Sequence, residues 1–214
     1  MKPVKRLLAV ILALCIVSAL SACAGKPNKP DAEDAEKYVG AVLDLMCTGN
    51  YDHSVNLADA DELKVTMEHA ADVAMDDLVS QMNLSDDVVA DFREVLLSMF
   101  SKARYTVGKA VQTDSGFDVP VVLDPMVFDG RVETAVSEGA AALLDDPNAA
   151  LMTEEDLTDR LMRCAVDALK TELEDPQYGG STEVVVHYKE LQDGLWGIDQ
   201  ADAVRLGEAM IRTS

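Results

Sequence analysis

The side chains of this 214-residue sequence that most readily bind metals or attack substrates belong to four cysteines and three histidines. Cys15 and Cys23 lie in or next to an apolar N-terminal run, and Cys47 and Cys164 lie far apart in the remaining chain. A helical zinc site needs histidines four residues apart, or cysteines at short spacing, and neither pattern occurs. We therefore expect no metal site and no cofactor, and surface or hydrogen-bonded roles for His53, His69 and His187.

No residue pattern of the sequence predicts catalysis. Asp59, Asp61 and Glu62 look like the start of a calcium loop, but Leu63 and Lys64 occupy positions where an oxygen ligand and a glycine belong. The hydrolase serine elbow, the phosphate-binding loop and the dinucleotide fingerprint are also absent. We expect a protein that is not an enzyme and has no catalytic residues. The alternative is an enzyme in which an acidic side chain inside a pocket acts as a general base.

The clearest chemical signal of the sequence lies at Cys23. Three basic residues, Lys2, Lys5 and Arg6, precede an apolar run at 7–20, which is shorter than the roughly 20 residues of a membrane-spanning helix and typical of a signal peptide. The run ends in Leu20-Ser21-Ala22-Cys23, which resembles the lipobox of bacterial lipoproteins. The resemblance implies that residues 1–22 are removed and that Cys23 carries the lipid, including palmitate. Ordinary secretion and a retained transmembrane anchor are the alternatives.

The charge of the chain separates the N-terminal segment from the body. Residues 24–30 contain two prolines and a glycine and predict a tether that follows the lipidated residue. Five of the 18 basic residues and none of the 39 acidic residues precede Asp31, so the body carries 13 basic and 39 acidic side chains, a balance of −26. Such a body would be repelled by nucleic acid and by anionic lipid headgroups. We expect the membrane as a partner only through the lipid on Cys23.

Hydrophobic periodicity divides the body into helices and strands. A period of 3.6 predicts helices at 31–46, 61–83, 85–103, 127–144 and 153–174, and a short one after residue 199. Alternation predicts strands at 105–112, 117–123, 183–191 and 195–198. Two hairpins separated by helices favour one four-stranded antiparallel sheet with helices on its inner face. The prediction is a single α+β domain over residues 31–214.

The body resembles lipoproteins of Gram-positive bacteria that contain a domain of unknown function. The resemblance rests on Ala35-Glu36-Lys37-Tyr38-Val39, on the strand Tyr105-Thr106-Val107-Gly108 and on Trp196-Gly197-Ile198-Asp199 at the start of the last helix. It implies a cystatin-like or NTF2-like (nuclear transport factor 2) fold, in which helices pack on an antiparallel sheet.

One question about the two cysteines of the body and one about the function remain open at this point. Cys47 and Cys164 both lie on core-facing helical stripes of an exported body, so they either form a disulfide or remain two separate buried thiols. We expect a lipid-anchored extracytoplasmic module that binds a protein, a peptide or a small molecule. The alternatives are an enzyme with an acidic pocket and an accessory substrate-binding lipoprotein of a transporter.

Overall fold

The computed structural model describes residues 30–48, 84–128, 130–192, 195–198 and 200–213. These residues contain five α-helices: α1 (Ala32–Thr48), α2 (Asp86–Ser101), α3 (Arg131–Asp145), α4 (Glu154–Glu174) and α5 (Gln200–Met210). The strands are β1 (Arg104–Val107), β2 (Val111–Gln112), β3 (Gly116–Asp124), β4 (Met126–Phe128), β5 (Thr182–Gln192), β6 (Leu195–Ile198) and β7 (Ile211–Thr213). The predicted helix at 61–83 and the signal and tether at 1–29 lie outside the described residues.

The main sheet is antiparallel and has the strand order β1-β3-β5-β6. Strand β2 pairs with β3 as well, at Phe117 and Asp118, whereas β1 pairs with residues 121–124 of β3. The predicted α+β class and its antiparallel sheet are thus confirmed, but the main sheet has five strands rather than the four predicted. The strand predicted at 105–112 is divided into β1 and β2. A second, parallel pair of strands, β4 with β7, was not predicted.

The division between β1 and β2 explains how the central strand β3 accommodates a proline. Pro120 has no N–H to donate, and a proline within a strand is tolerated best at a sheet edge or a bulge. The Gly108 N–H donates to the Pro120 carbonyl at 2.7 Å, so the missing N–H faces the point where the edge strand is interrupted. A Cβ on Gly108 would lie 2.8 Å from Cγ of Pro120. The gap between β1 and β2 therefore fits the proline ring.

The inner face of the sheet has the register that the sequence predicts. Val184, Val186 and Tyr188 are buried, whereas the alternate side chains of β5 are partly exposed. The apolar stripe between Phe92 and Phe100 predicts that α2 covers this face, but Tyr38 of α1 lies there, with its ring centroid 4.9 Å from that of Tyr188. Helix α2 instead packs against α1 and α4. The covering helix was misassigned because the hydrophobic stripe of α2 is equally suited to a helical neighbour.

The tryptophan of the second hairpin fixes that hairpin to the core. Trp196 is partly buried, and its ring centroid lies 5.7 Å from that of Tyr188 and 6.3 Å from that of Phe117. Tilted aromatic pairs at such distances stabilise a core beyond the effect of burial alone. These contacts make Trp196 an anchor of the hairpin in the core.

Helices α3 and α4 form a hairpin in which only α4 contributes buried residues to the core, namely Val166, Leu169 and Leu173. No residue of α3 is buried. A capping box is present at the start of α4, because the Thr153 side chain accepts from the Asp156 N–H and the Asp156 carboxylate accepts from the Thr153 N–H.

The helix predicted from residue 127 begins at Arg131 instead, since residues 126–128 pair with β7 and Gly130 turns the chain with φ of +85°. None of the described helices is long and apolar enough to cross a membrane.

Candidate functional site

The strongest cluster of titratable side chains in the described residues lies where α5 meets β5. Asp202 of α5 is only 1% exposed, and its carboxylate accepts from the His187 N–H at 2.7 Å and from Nδ1 of the His187 ring at 3.0 Å. Arg205, one turn further along α5, also donates to this carboxylate. Its guanidinium reaches the Val185 carbonyl at 3.1 Å.

The topology of the sheet explains why α5 is held at this position. β6 pairs with β5 only from Tyr188 to Gln192, so the outer edge of β5 continues beyond the end of β6. The His187 N–H and the Val185 carbonyl face that edge, because they bond to Asp202 and Arg205 rather than to β3. Helix α5 follows β6 directly and supplies the two side chains that replace the missing strand. An uncovered edge is thereby closed.

The electrostatics of the cluster follow from the burial of one carboxylate. An isolated buried charge is costly, and Asp202 is stabilised because the Arg205 guanidinium and the His187 ring both donate toward it. The guanidinium nitrogen also lies 3.3 Å from Nδ1 of His187, and the two donors share the carboxylate. In the neutral tautomer that donates from Nδ1 to Asp202, Nε2 is the acceptor nitrogen of the ring.

The exposed side of the histidine faces a second carboxylate. His187 and Asp118 are directly opposed across β5 and β3, and Nε2 of His187 lies 3.9 Å from Oδ1 of Asp118. Both side chains are nearly half exposed, at 46% and 40%. An outward-facing imidazole nitrogen can accept a proton or bind a cation. Among the described residues, no three His, Cys, Asp or Glu side chains converge as metal ligands.

This cluster was missed because its members are distant in sequence. Asp118, His187 and Asp202 come from two strands and a helix, and only the β3–β5 register and the end of β6 bring them together. The sequence carries a partial signal, since the alternation over 183–191 puts His187 on the face opposite Val184, Val186 and Tyr188. The pairing partner on the neighbouring strand could not be read from residue spacing.

A second feature is an open groove of about 470 Å³ beside the edge strand β1. It is lined in part by Asp44, Arg104 and Thr106, and at one wall the Tyr105 hydroxyl donates to Asp44 at 2.5 Å. Burial, followed by this hydrogen bond, raises the pKa of Tyr105 above its usual range. The Tyr105 hydroxyl therefore stays protonated at neutral pH and links α1 to the sheet.

The two cysteines of the body are both free, so the disulfide that we considered is not formed in this structure. Cys47 is buried in the core on α1. Cys164 is turned toward α3, since a Cβ on Gly139 would lie 2.6 Å from its sulfur. The physical reason is that α4 packs against α3 through the Cys164 stripe. The lipidation candidate Cys23, and also His53 and His69, lie outside the described residues.

Comparison with known proteins gives one informative result. No family model matches the chain, and no curated protein matches it. The crystal structure of a putative lipoprotein, YcdA of Bacillus subtilis, is similar in fold, with a TM-score of 0.55 at 16% sequence identity. The similarity covers 84% of this chain and 58% of that one, so the chain spans little more than half of the neighbour's length. At this identity, the likeness concerns the fold alone.

Proposed function

We propose that this protein is a lipid-anchored lipoprotein of the bacterial cell envelope, whose body is a non-enzymatic binding module. The observation that carries the proposal is the sequence Leu20-Ser21-Ala22-Cys23 at the end of a basic and then apolar N-terminal segment. The fold that the body shares with a putative lipoprotein supports it. In this proposal Cys23 is the first mature residue and carries the lipid.

The tether and the charge of the body are consistent with such an anchor. Residues 24–30 span at most about 23 Å when extended, and α1 begins shortly afterwards at Ala32. Two acyl chains are sufficient for stable anchoring, whereas one is marginal. Because the body has a charge balance of −26, anionic headgroups would repel it, and it would stand off the membrane at the end of the tether.

Within this proposal, the body belongs to the cystatin-like or NTF2-like superfamily. The arrangement that supports this assignment is α1 lying on the inner face of an antiparallel sheet, with the tyrosine pair Tyr38 and Tyr188 between them. A protein, a peptide or a small molecule would bind to the body, and nucleic acid would be repelled by its charge.

A second candidate function is an enzyme, and the His187 cluster is the observation that favours it. A buried carboxylate that holds one ring nitrogen while the other faces solvent is the arrangement of a general base. The His187 ring, however, is 46% exposed on an open sheet face, which favours binding over catalysis.

Subcellular fractionation with metabolic palmitate labelling tests the anchor. We expect the wild-type protein to be labelled and to remain with the membranes after a high-salt wash, because the lipid is buried in the bilayer. Cys23→Ala should abolish the label and leave the precursor unprocessed. Cys15→Ala, which removes the other N-terminal cysteine, should change neither result. Equal labelling of wild type and Cys23→Ala would contradict the proposal.

A further inference from the structure

The outer face of the main sheet carries a histidine and an aspartate that face each other across two strands. His187 of β5 and Asp118 of β3 are in direct register, and their side chains point to the solvent side of the sheet. We propose that these two side chains bind a borderline divalent transition-metal ion, such as Zn²⁺, Ni²⁺ or Cu²⁺. This site goes beyond the proposed function and does not depend on the anchor.

The hydrogen bonding of His187 prepares its ring for a metal. Nδ1 lies 3.0 and 3.2 Å from the two oxygens of Asp202, which is almost completely buried, and this fixes the ring orientation and leaves the Nε2 lone pair directed outward. A carboxylate behind a metal-binding histidine is the usual supporting contact in metalloproteins, because it selects the tautomer and increases the basicity of the ligand. Asp202 would act in this way, as a positioning residue that does not touch the ion.

The distance between the two ligand atoms is suitable after a small adjustment. Typical Zn–N and Zn–O bonds of about 2.0–2.2 Å at a tetrahedral angle place the ligand atoms about 3.3 Å apart. Nε2 of His187 and Oδ1 of Asp118 are 3.9 Å apart, so the Asp118 side chain, which is 40% exposed, would move roughly 0.6 Å toward the ring on metal binding. Water would complete the coordination, since the described residues provide no third ligand here.

The charge and the ligand types determine which ion is favoured. Imidazole nitrogen with carboxylate oxygen suits Zn²⁺, Ni²⁺ and Cu²⁺, whereas Mg²⁺ and Ca²⁺ prefer oxygen ligands alone. Asp118 and Asp202 carry two negative charges near the ring, and Arg205 offsets one of them from the Nδ1 side. Replacement of Arg205 should therefore strengthen metal binding. If the cluster had only a structural role, this replacement would not strengthen binding.

Zn²⁺ titration of the chelator-treated full chain in a mild non-ionic detergent tests the site, with Mg²⁺ in excess to occupy the diffuse acidic surface. We expect His187→Ala and Asp118→Asn each to weaken binding at least about tenfold, and Asp202→Asn to weaken it about 10–100-fold. Arg205→Gln should strengthen it. His53→Ala and His69→Ala are matched controls and should leave it unchanged. Any Zn²⁺ that binds to the cysteine thiols binds in all of these variants, so the differences in affinity between them report on the site at His187 and Asp118.

A spectroscopic measurement separates the site from a loss of folding. Thermal unfolding of Asp118→Asn should stay close to that of wild type, because Asp118 is partly exposed. His187→Ala also removes a ring donor to the buried Asp202, so its unfolding temperature is measured and its Zn²⁺ titration is performed well below that temperature. Electron paramagnetic resonance of the Cu²⁺-loaded chain should show an imidazole nitrogen ligand that His187→Ala removes. Zn²⁺ binding that persists unchanged in His187→Ala or in Asp118→Asn, or that excess Mg²⁺ abolishes, overturns the proposal.

Discussion

Asp202 shows how one side chain can replace a missing strand. Its carboxylate accepts from the His187 backbone and ring, and it is neutralised by Arg205, so a single buried acid closes a sheet edge and orients a histidine. Without such partners a buried carboxylate would cost several kcal/mol. The same contacts that stabilise the packing of α5 therefore prepare the outward face of His187.

The two cysteines of the body should differ in reactivity because their surroundings differ. Burial, and to a lesser degree the charge of Asp44, raises the pKa of Cys47 to about 12, so almost no thiolate forms near pH 8. Cys164 is partly exposed. In the native full chain, Cys164→Ser should remove one thiol that reacts with a disulfide reagent, and Cys47→Ser should remove none.

The denatured chain provides the control for this prediction. After unfolding without reductant, both Cys47 and Cys164 should react, since the structure has no bond between them. If both thiols became reactive only after reduction, the two cysteines would be paired, and the packing of Cys164 against α3 would be wrong.

At the scale of the elements, the register of β5 can be tested by one matched pair of substitutions. Val186 is fully buried on the inner face, and Val111 of β2 is 62% exposed on the outer face of the same sheet. Val186→Asp should lower the free energy of unfolding by about 3–5 kcal/mol, because it buries an unpaired charge. Val111→Asp should cost less than about 1 kcal/mol. Thermal and denaturant unfolding measure both, and equal losses would mean that the register is wrong.

The elements with strong local patterns were predictable, and those defined by distant pairing were not. The prediction at 183–191 agrees with β5 (Thr182–Gln192), because its alternation reports which face is buried. β4 and β7 are three residues each and pair in parallel although Met126 and its partner Ile211 are 85 residues apart, so neither has a local signal. The His187 cluster was missed for the same reason, since its partners are joined only by the sheet.

At the scale of the whole molecule, the chain combines an N-terminal segment that resembles a lipoprotein signal with a strongly acidic α+β body. The fold likeness to a putative lipoprotein covers most of the chain. The body alone has a charge balance of −26, because five basic residues and no acidic ones precede Asp31. These five basic residues lie on the segment that would be removed and on the tether. An acidic body at the end of a tether would attract cationic ligands and metal ions, in keeping with both proposals.

The mass of the mature N-terminal peptide tests the central claim most directly. The protein would be extracted from membranes of the expressing bacterium, digested and analysed by mass spectrometry. We expect a peptide that begins at Cys23 and carries a diacylglycerol on its sulfur, with nothing before this residue. An N-terminal peptide that begins at Cys23 without lipid, or one that retains any of residues 1–22, would contradict the claim that the protein is a lipid-anchored lipoprotein.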